Sequence, residues 1–179
     1  KFKAFFGDEE LRTYLVIVGV SSLLIACNIF HLYHNFADSF EMSFFQVSNV
    51  ITTTGFGFGN TVDWPLFSQF LLLMLMVVGG SAGSTAGGMK VIRFLILARI
   101  GKNQIRSMLS PNRVMTLHIN GSSLDKDTQH KILKYFVVYT LIMIALIAVV
   151  SFDSNNFMTV VSAVFSCFNN IGPMIGTTD

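Results

Sequence analysis

Charged residues are scarce in this sequence. Asp, Glu, Lys and Arg make up 12% of the 179 residues, whereas a soluble domain carries roughly 25%. Hydrophobic residues make up 52%, and the mean hydropathy is +0.60. This composition argues against a soluble domain and predicts a membrane protein.

Lys and Arg are missing from two long regions, Thr13 to Met89 and Tyr135 to Asp179. By the positive-inside rule, the amino terminus and the basic middle loop are then cytoplasmic, and the two regions without basic residues reach the far side of the membrane. The acidic residues of those regions are Asp38, Glu41, Asp63, Asp153 and Asp179. They are either helix caps and solvated loop residues or a negative mouth that concentrates cations.

Cysteine is also rare, and clustered catalytic side chains are missing. The two cysteines, Cys27 and Cys167, lie in apolar stretches, which favours buried thiols over a disulfide framework. No cluster of carboxylates or histidines is expected at membrane depth, so the sequence does not predict an enzyme. Three acidic residues precede the first apolar run where a signal peptide would be basic, and we expect the chain to be part of a longer protein.

Four apolar stretches are present, two long and two short. Thr13–Tyr33 and His130–Ser151 are each long enough to span a hydrocarbon core of roughly 30 Å. Glu41–Thr52 and Phe157–Phe168 have twelve residues each, about 18 Å as helix, which is too short to cross. We expect these two to be re-entrant half-helices that line a cavity, the first of them capped by Asp38.

Each half-helix ends in a loop that contains glycine. The first loop is Thr53-Thr54-Gly55-Phe56-Gly57 and the second is Asn169-Asn170-Ile171-Gly172-Pro173. Gly172 follows Gly55 by 117 positions, and the same offset places residues 13–33 on 130–150. One offset that aligns both spans and loops indicates an internal repeat.

Both loops have the composition of an ion selectivity filter. Rings of backbone carbonyls replace the hydration shell of K⁺ in such filters, whose best-known sequence is TVGYG. Glycine is needed where the backbone must turn its carbonyl inward, so Gly55 and Gly172 are predicted to have positive φ. The predicted K⁺ ligands are carbonyls of Thr53, Thr54, Gly55 and Phe56 in one loop and Asn170, Ile171 and Gly172 in the other. The alternative for the first loop is a plain glycine turn between two helices.

A long apolar run from Trp64 to Arg106 is interrupted by ten small residues, 79–88. The flanking parts, Leu66–Val78 and Val91–Ile100, together make one membrane crossing. The five glycines would cost a continuous helix roughly 5 kcal/mol relative to alanine, which favours a loop. The alternative is a continuous helix whose small residues pack against a neighbour.

The chain is therefore predicted to be an all-α membrane protein of repeated helix–pore-loop–helix units like those of a potassium channel. Residues 1–110 form one unit with a broken second helix, and residues 129–179 form a second unit without its final helix. Residues 111–128 form a cytoplasmic linker, in which Val114–Ile119 and the Asn120-Gly121 turn predict a hairpin.

Three motifs resemble the Trk/Ktr/HKT superfamily of potassium transporters, and within it the membrane subunit of the bacterial Trk system. They are Thr52–Phe56, Gly79–Lys90 and Asn169–Pro173. Members carry four such units around one pore, and this chain resembles the third unit and most of the fourth. The chain departs from the family after Pro173, where Met174-Ile175-Gly176 stands in place of Gly-Leu-Gly.

The resemblance implies K⁺ uptake by a homodimer in the bacterial inner membrane, with K⁺ as the transported ion and no nucleic acid as partner. It also implies a gate beneath the filter, controlled by a cytosolic nucleotide-binding subunit of the TrkA type. The predicted gate residues are Gly79, Gly80, Ser81, Gly83, Ser84, Thr85, Gly87, Gly88 and Lys90. Lys90 is either a charge of the gate or the cytoplasmic end of the helix, and the basic stretch 99–113 would contact the regulator or membrane lipid.

Three other functions remain open at this stage. A tandem-pore potassium channel shares the architecture but not the glycine interruption or the Asn-Ile-Gly-Pro loop. An ion-coupled symporter would need a second ion site, and the sequence does not point to one. A membrane scaffold or enzyme subunit belongs to a different class and would need functional side chains at membrane depth.

Overall fold

The computed structural model describes residues 7–56, 61, 63–109, 117–119, 122–152 and 156–172. Within these residues the chain forms six α-helices and one two-stranded hairpin. The elements are α1 (Glu9–Tyr33), α2 (Phe36–Ile51), α3 (Leu66–Val78), α4 (Val91–Leu109), β1 (His118–Ile119), β2 (Ser122–Ser123), α5 (Lys126–Val150) and α6 (Phe157–Phe168). The predictions for Gly57, Pro173, residues 120–121 and residues 174–176 lie outside the described residues.

Helices α1 and α5 are the two long helices whose length and composition suit a membrane crossing. Each has 25 residues, about 37 Å of helix. Helix α1 begins four residues before the predicted span because Asp8 caps it, with its carboxylate accepting from the Glu10 N–H at 3.0 Å. Helices α3 and α6 are shorter and apolar, and α6 has the predicted bounds.

Helix α2 starts earlier than the sequence predicted. Asn35 caps it, with its side-chain oxygen accepting from the Ala37 N–H at 3.2 Å, and Asn35 also donates to the Asp38 carboxylate at 3.1 Å. The prediction that Asp38 is the cap is therefore wrong, since Asp38 lies in the first turn. The resulting 16 residues measure about 24 Å, which is still too short to cross the membrane.

The first helix pair packs on α3 to form the main core. Its buried members come from α1, α2 and α3, and they are joined by Trp64, just before α3, and Ile171, from the second loop. The amide of Asn28 donates to the Ser68 hydroxyl at 2.9 Å and links α1 to α3. Because Met158, Val161 and Phe165 of α6 also pack here, the two units share this core.

A second, smaller cluster joins α5 and α6 to the glycine-rich segment. It contains Met89, Tyr139, Met143 and Val164. The Tyr139 hydroxyl donates to the Asn169 side-chain oxygen at 2.6 Å, and both residues are buried. This hydrogen bond ties the second long helix to the residue that follows α6.

Helix α4 continues past the apolar stretch Val91–Ile100 to Leu109, within the predicted unit of residues 1–110. Gly101 is inside the helix, where a Cβ would meet no atom of the described residues within 4 Å. In the linker, His118 pairs with Ser123 and Ile119 with Ser122. This antiparallel register encloses residues 120–121, where the sequence predicted the turn.

Candidate functional site: two filter loops and a glycine loop

The loops after α2 and α6 have the backbone that the sequence predicted at their glycines. Gly55 has φ +76° and Gly172 has φ +106°, so the prediction of positive φ at both positions is confirmed. Thr53 and Asn170 also have positive φ, +53° and +58°, which the sequence analysis missed. A β-branched residue in this region is uncommon and must be held by its surroundings.

The two loops leave their helices along the same backbone path. Thr52, Thr53 and Thr54 donate backbone N–H groups to the carbonyls of Ser48, Val50 and Asn49 at 3.0, 3.1 and 3.1 Å. Asn169, Asn170 and Ile171 donate to Phe165, Cys167 and Ser166 at 3.1, 3.2 and 2.9 Å. Each donor and acceptor of the second set lies 117 residues after its counterpart, so the sequence repeat is also a repeat of hydrogen bonds.

The glycine-rich segment between α3 and α4 is a loop, since residues 79–90 are not helical. Its two ends form a narrow neck. The Met89 N–H donates to the Val77 carbonyl and the Val91 N–H to the Gly80 carbonyl, both at 3.0 Å. A Cβ on Gly79 would lie 2.3 Å from the Gly87 backbone oxygen. The two backbone segments of the neck therefore pack so closely at this point that no side chain fits between them. We call residues 79–88 the glycine loop.

The glycine loop contacts, through Gly87, the loops that follow α2 and α6, which we call the filter loops after their predicted role. The Gly87 N–H donates to the Thr53 hydroxyl at 3.0 Å, and a Cβ on Gly87 would lie 1.9 Å from the Asn169 carbonyl oxygen. This hydrogen bond is one interaction that holds Thr53 at its unusual φ. The predicted site residues Thr53 and Gly87 therefore meet, beside Asn169 and next to the predicted ligand Asn170.

Other predicted site residues are more open. Thr54, Phe56, Asn170 and Gly172 are exposed, and Thr53 and Gly55 are half-buried. Ile171 is the buried member of the second loop. An ion pathway requires accessible residues of this kind, and the direction of the carbonyls toward K⁺ stays a prediction.

Lys90 folds back into the glycine loop. Its ammonium donates to the Ser84 carbonyl at 2.8 Å and also to the Ala86 carbonyl. The Ser84 hydroxyl in turn donates to the Ser81 carbonyl at 2.7 Å. The Lys90 backbone has φ +76°. The positive charge thus lies among the carbonyls of the loop tip.

A cavity of about 750 Å³ separates the start of α1 from the glycine loop. Its lining includes Asp8, Glu10 and Tyr14 on one side and Ser81, Ser84 and Thr85 on the other. The Glu10 carboxylate accepts from the Ala82 N–H at 2.5 Å, and the neighbouring Glu9 pairs with Arg99 at 2.9 Å. The sequence pattern did not predict these acidic contacts. The one signal for them was the run Asp8-Glu9-Glu10 just before an apolar stretch.

Within the described residues, no group of three His, Cys, Asp or Glu side chains could hold a metal ion. The oxygens available at the loops are backbone carbonyls, threonine hydroxyls and the carboxamide oxygen of Asn170. Backbone carbonyls of this kind replace the hydration shell of K⁺ in selectivity filters.

Half-helices that end in matching glycine loops, each preceded by a helix long enough to span a membrane, are typical of the class of helix–pore-loop membrane proteins. The comparisons with known proteins agree. The family model described as "TrkH: Cation transport protein" matches residues 4–179. The crystal structure of the potassium transporter TrkH from Vibrio parahaemolyticus superposes with a TM-score of 0.90 at 32% identity, over 97% of this chain and 38% of that one.

Sequence relatives give the same result. The chain is 33% identical to the Trk system potassium uptake protein TrkH of Vibrio parahaemolyticus and to that of Escherichia coli K12, over 97% of its length. It is 29% identical to the E. coli protein TrkG over 98% of its length. The chain therefore belongs to the TrkH family, and the predicted resemblance and fold class are confirmed. It spans 36% of the length of these relatives.

Proposed function

We propose that this chain forms part of a pore for K⁺ uptake across a bacterial inner membrane. The observation that carries the proposal is the pair of loops with repeated hydrogen bonds and a positive-φ glycine at the same position in each. Carbonyls of Thr53, Thr54, Gly55 and Phe56 form one side of the filter, and those of Asn170, Ile171 and Gly172 form another. The relatives are transport proteins by name, and we propose no enzymatic activity.

The glycine loop is the proposed gate. Gly87 rests against both filter loops, and the loop tip with Ser81, Ser84 and Thr85 faces the cavity beside α1. A loop in this place obstructs an ion that leaves the filter toward the cytoplasm. Lys90 supports the obstructing position, because its ammonium binds two carbonyls of the loop.

The assembly follows from the same proposal. Residues 1–110 and 129–179 are two neighbouring units of a multi-pass protein, and residues 111–128 are their cytoplasmic linker. The working protein is a homodimer in contact with membrane lipid, and a cytosolic nucleotide-binding subunit of the TrkA type moves the gate. Helix α4 extends the broken helix into the basic region where such a subunit would dock.

Replacing Gly172 or Gly55 with Ala tests the filter. At Gly172 a Cβ would meet no atom of the described residues within 4 Å, so we expect Ala to add mainly the backbone strain of φ +106°, about 1–3 kcal/mol. We expect a lower preference for K⁺ over Na⁺ in tracer uptake by proteoliposomes containing the full-length protein, with little loss of folded protein.

Gly19→Ala is the matched control, since Gly19 lies in α1, away from the loops, with no atom within 4 Å of a Cβ. It should leave ion preference unchanged. If both loop variants also keep the K⁺ preference of the unmodified protein, the loops do not form the filter and the proposal is wrong.

A further inference from the structure

Asn49 binds the far end of the first filter loop with its side chain. It lies in α2, two residues before the helix ends, and is 5% exposed. Its amide group donates to the Phe56 carbonyl at 2.7 Å, and its side-chain oxygen accepts from the Phe56 N–H at 2.8 Å. One carboxamide therefore satisfies both backbone groups of a single residue, as a neighbouring strand would.

The backbone of Asn49 holds the same loop at a second point. Its carbonyl accepts from the Thr54 N–H at 3.1 Å. The positive-φ residue Gly55 thus lies between two residues that are both bonded to Asn49. A peptide fixed on either side of a glycine cannot turn its carbonyls freely, and the direction of the carbonyl dipoles contributes to ion selectivity.

The second filter loop has different residues at the two equivalent positions. Ser166 occupies the position 117 residues after Asn49, and its backbone carbonyl makes the equivalent bond to the Ile171 N–H at 2.9 Å. Its buried hydroxyl has no hydrogen-bond partner among the described residues. The residue equivalent to Phe56 is Pro173, which has no N–H to donate and whose ring fixes φ.

We propose that Asn49 is a positioning residue that sets the ion selectivity of the first filter loop. The two loops then differ in chemistry at equivalent positions, because a carboxamide holds Phe56 in the first loop, whereas the sequence of the second has Ser and Pro at the two positions. This inference rests on the proposed K⁺ pathway and adds a residue that does not itself touch the ion.

The first test replaces Asn49 with Leu in the full-length protein, which keeps the size of the side chain and removes both hydrogen bonds. We expect the preference for K⁺ over Na⁺ to fall about tenfold, as two hydrogen bonds are lost, while dimer yield and total cation flux change less. Ser166→Ala is the matched control at the equivalent position, and it should leave the preference unchanged because the Ser166 hydroxyl has no hydrogen-bond partner among the described residues.

The second test transfers the chemistry of the second loop to the first. Asn49→Ser and Phe56→Pro should each lower the preference for K⁺ over Na⁺. The double variant has the same residue types as Ser166 and Pro173 at the equivalent positions, and it should be more selective than either single variant. A merely structural role for Asn49 would give additive losses instead.

The outcomes separate the two proposals. If the unmodified protein takes up K⁺ but Asn49→Leu leaves its selectivity unchanged, or the double variant shows no recovery, only the proposed role of Asn49 is wrong. Unmodified protein that shows no K⁺ uptake would overturn the proposed function and this inference with it.

Discussion

The filter loops and the glycine loop are all irregular and all depend on glycine, but they are held in different ways. Each filter loop is short and is bonded residue by residue to the last turn of its own helix. The glycine loop has ten residues, is joined to the protein at its neck, and exposes its tip from Ala82 to Thr85. In the filter loops, glycine permits the positive φ at Gly55 and Gly172. In the glycine loop, the lack of a side chain allows backbone segments to pack closely at Gly79 and Gly87.

This difference shows which segment can move. Displacing a filter loop would break several bonds to its helix. Displacing the tip of the glycine loop breaks the contacts of Gly87, Lys90 and Ala82 and leaves the neck intact. A net gain of only a few kcal/mol from a regulator is enough to shift such an equilibrium.

The largest effect is expected when the tip is removed. Replacing residues 81–86 with Gly-Gly keeps the neck bonds of Gly80 and Met89 but deletes the obstructing segment. Uptake should then no longer depend on the regulatory subunit, as measured by tracer flux with and without that subunit. Poor dimer assembly together with low flux would show instead that the glycines serve packing.

Gly87→Ala should have the next largest effect. The added Cβ would meet the Asn169 backbone oxygen at 1.9 Å, and neither partner can rotate away as a side chain could. The loop must leave its place, so flux without the regulator should rise by roughly tenfold, the equivalent of about 1.4 kcal/mol.

Gly83→Ala is the control for Gly87→Ala within the same loop, because a Cβ there meets no atom within 4 Å. It should behave like the unmodified protein. Equal effects of the two variants would contradict the docking of Gly87 on the filter loops.

A smaller effect is expected from Lys90→Met, which keeps the stem and removes the charge. The loop would lose the bonds from the ammonium to the Ser84 and Ala86 carbonyls, so flux without the regulator should rise severalfold, consistent with charged hydrogen bonds of about 1.5–3 kcal/mol that water partly replaces. Lys90→Arg should retain most of the regulation. A larger rise in Lys90→Met than in Gly87→Ala would reverse the proposed order.

Much of the fold could be predicted from apolar length and local signals. Leu66–Val78 and Phe157–Phe168 were bounded correctly because apolar runs begin and end there at Pro, Asn or Gly. The start of α2 was missed because Asn35 competes with Asp38 as a cap, and His34 turns the chain just before it with φ +54°. Helix α4 continues past the apolar stretch that ends at Ile100, because Gly101 is tolerated in a helix whose surroundings leave it room.

The site was predictable at the glycines and not at their partners. The need for positive φ at Gly55 and Gly172 follows from local chemistry. The contacts of Gly87 with Thr53 and Asn169 join segments far apart in sequence, so no local pattern reveals them. Asn49 did carry a signal, since an amide near the end of an apolar half-helix must find a partner, but the sequence does not say which one.

The neck of the glycine loop has a mechanical consequence. The Met89 and Val91 N–H groups bond across the neck to the Val77 and Gly80 carbonyls, so the end of α3 is tied directly to the start of α4. A force applied to α4 from its basic end would therefore reach α3 through these two hydrogen bonds, without passing through the tip of the glycine loop.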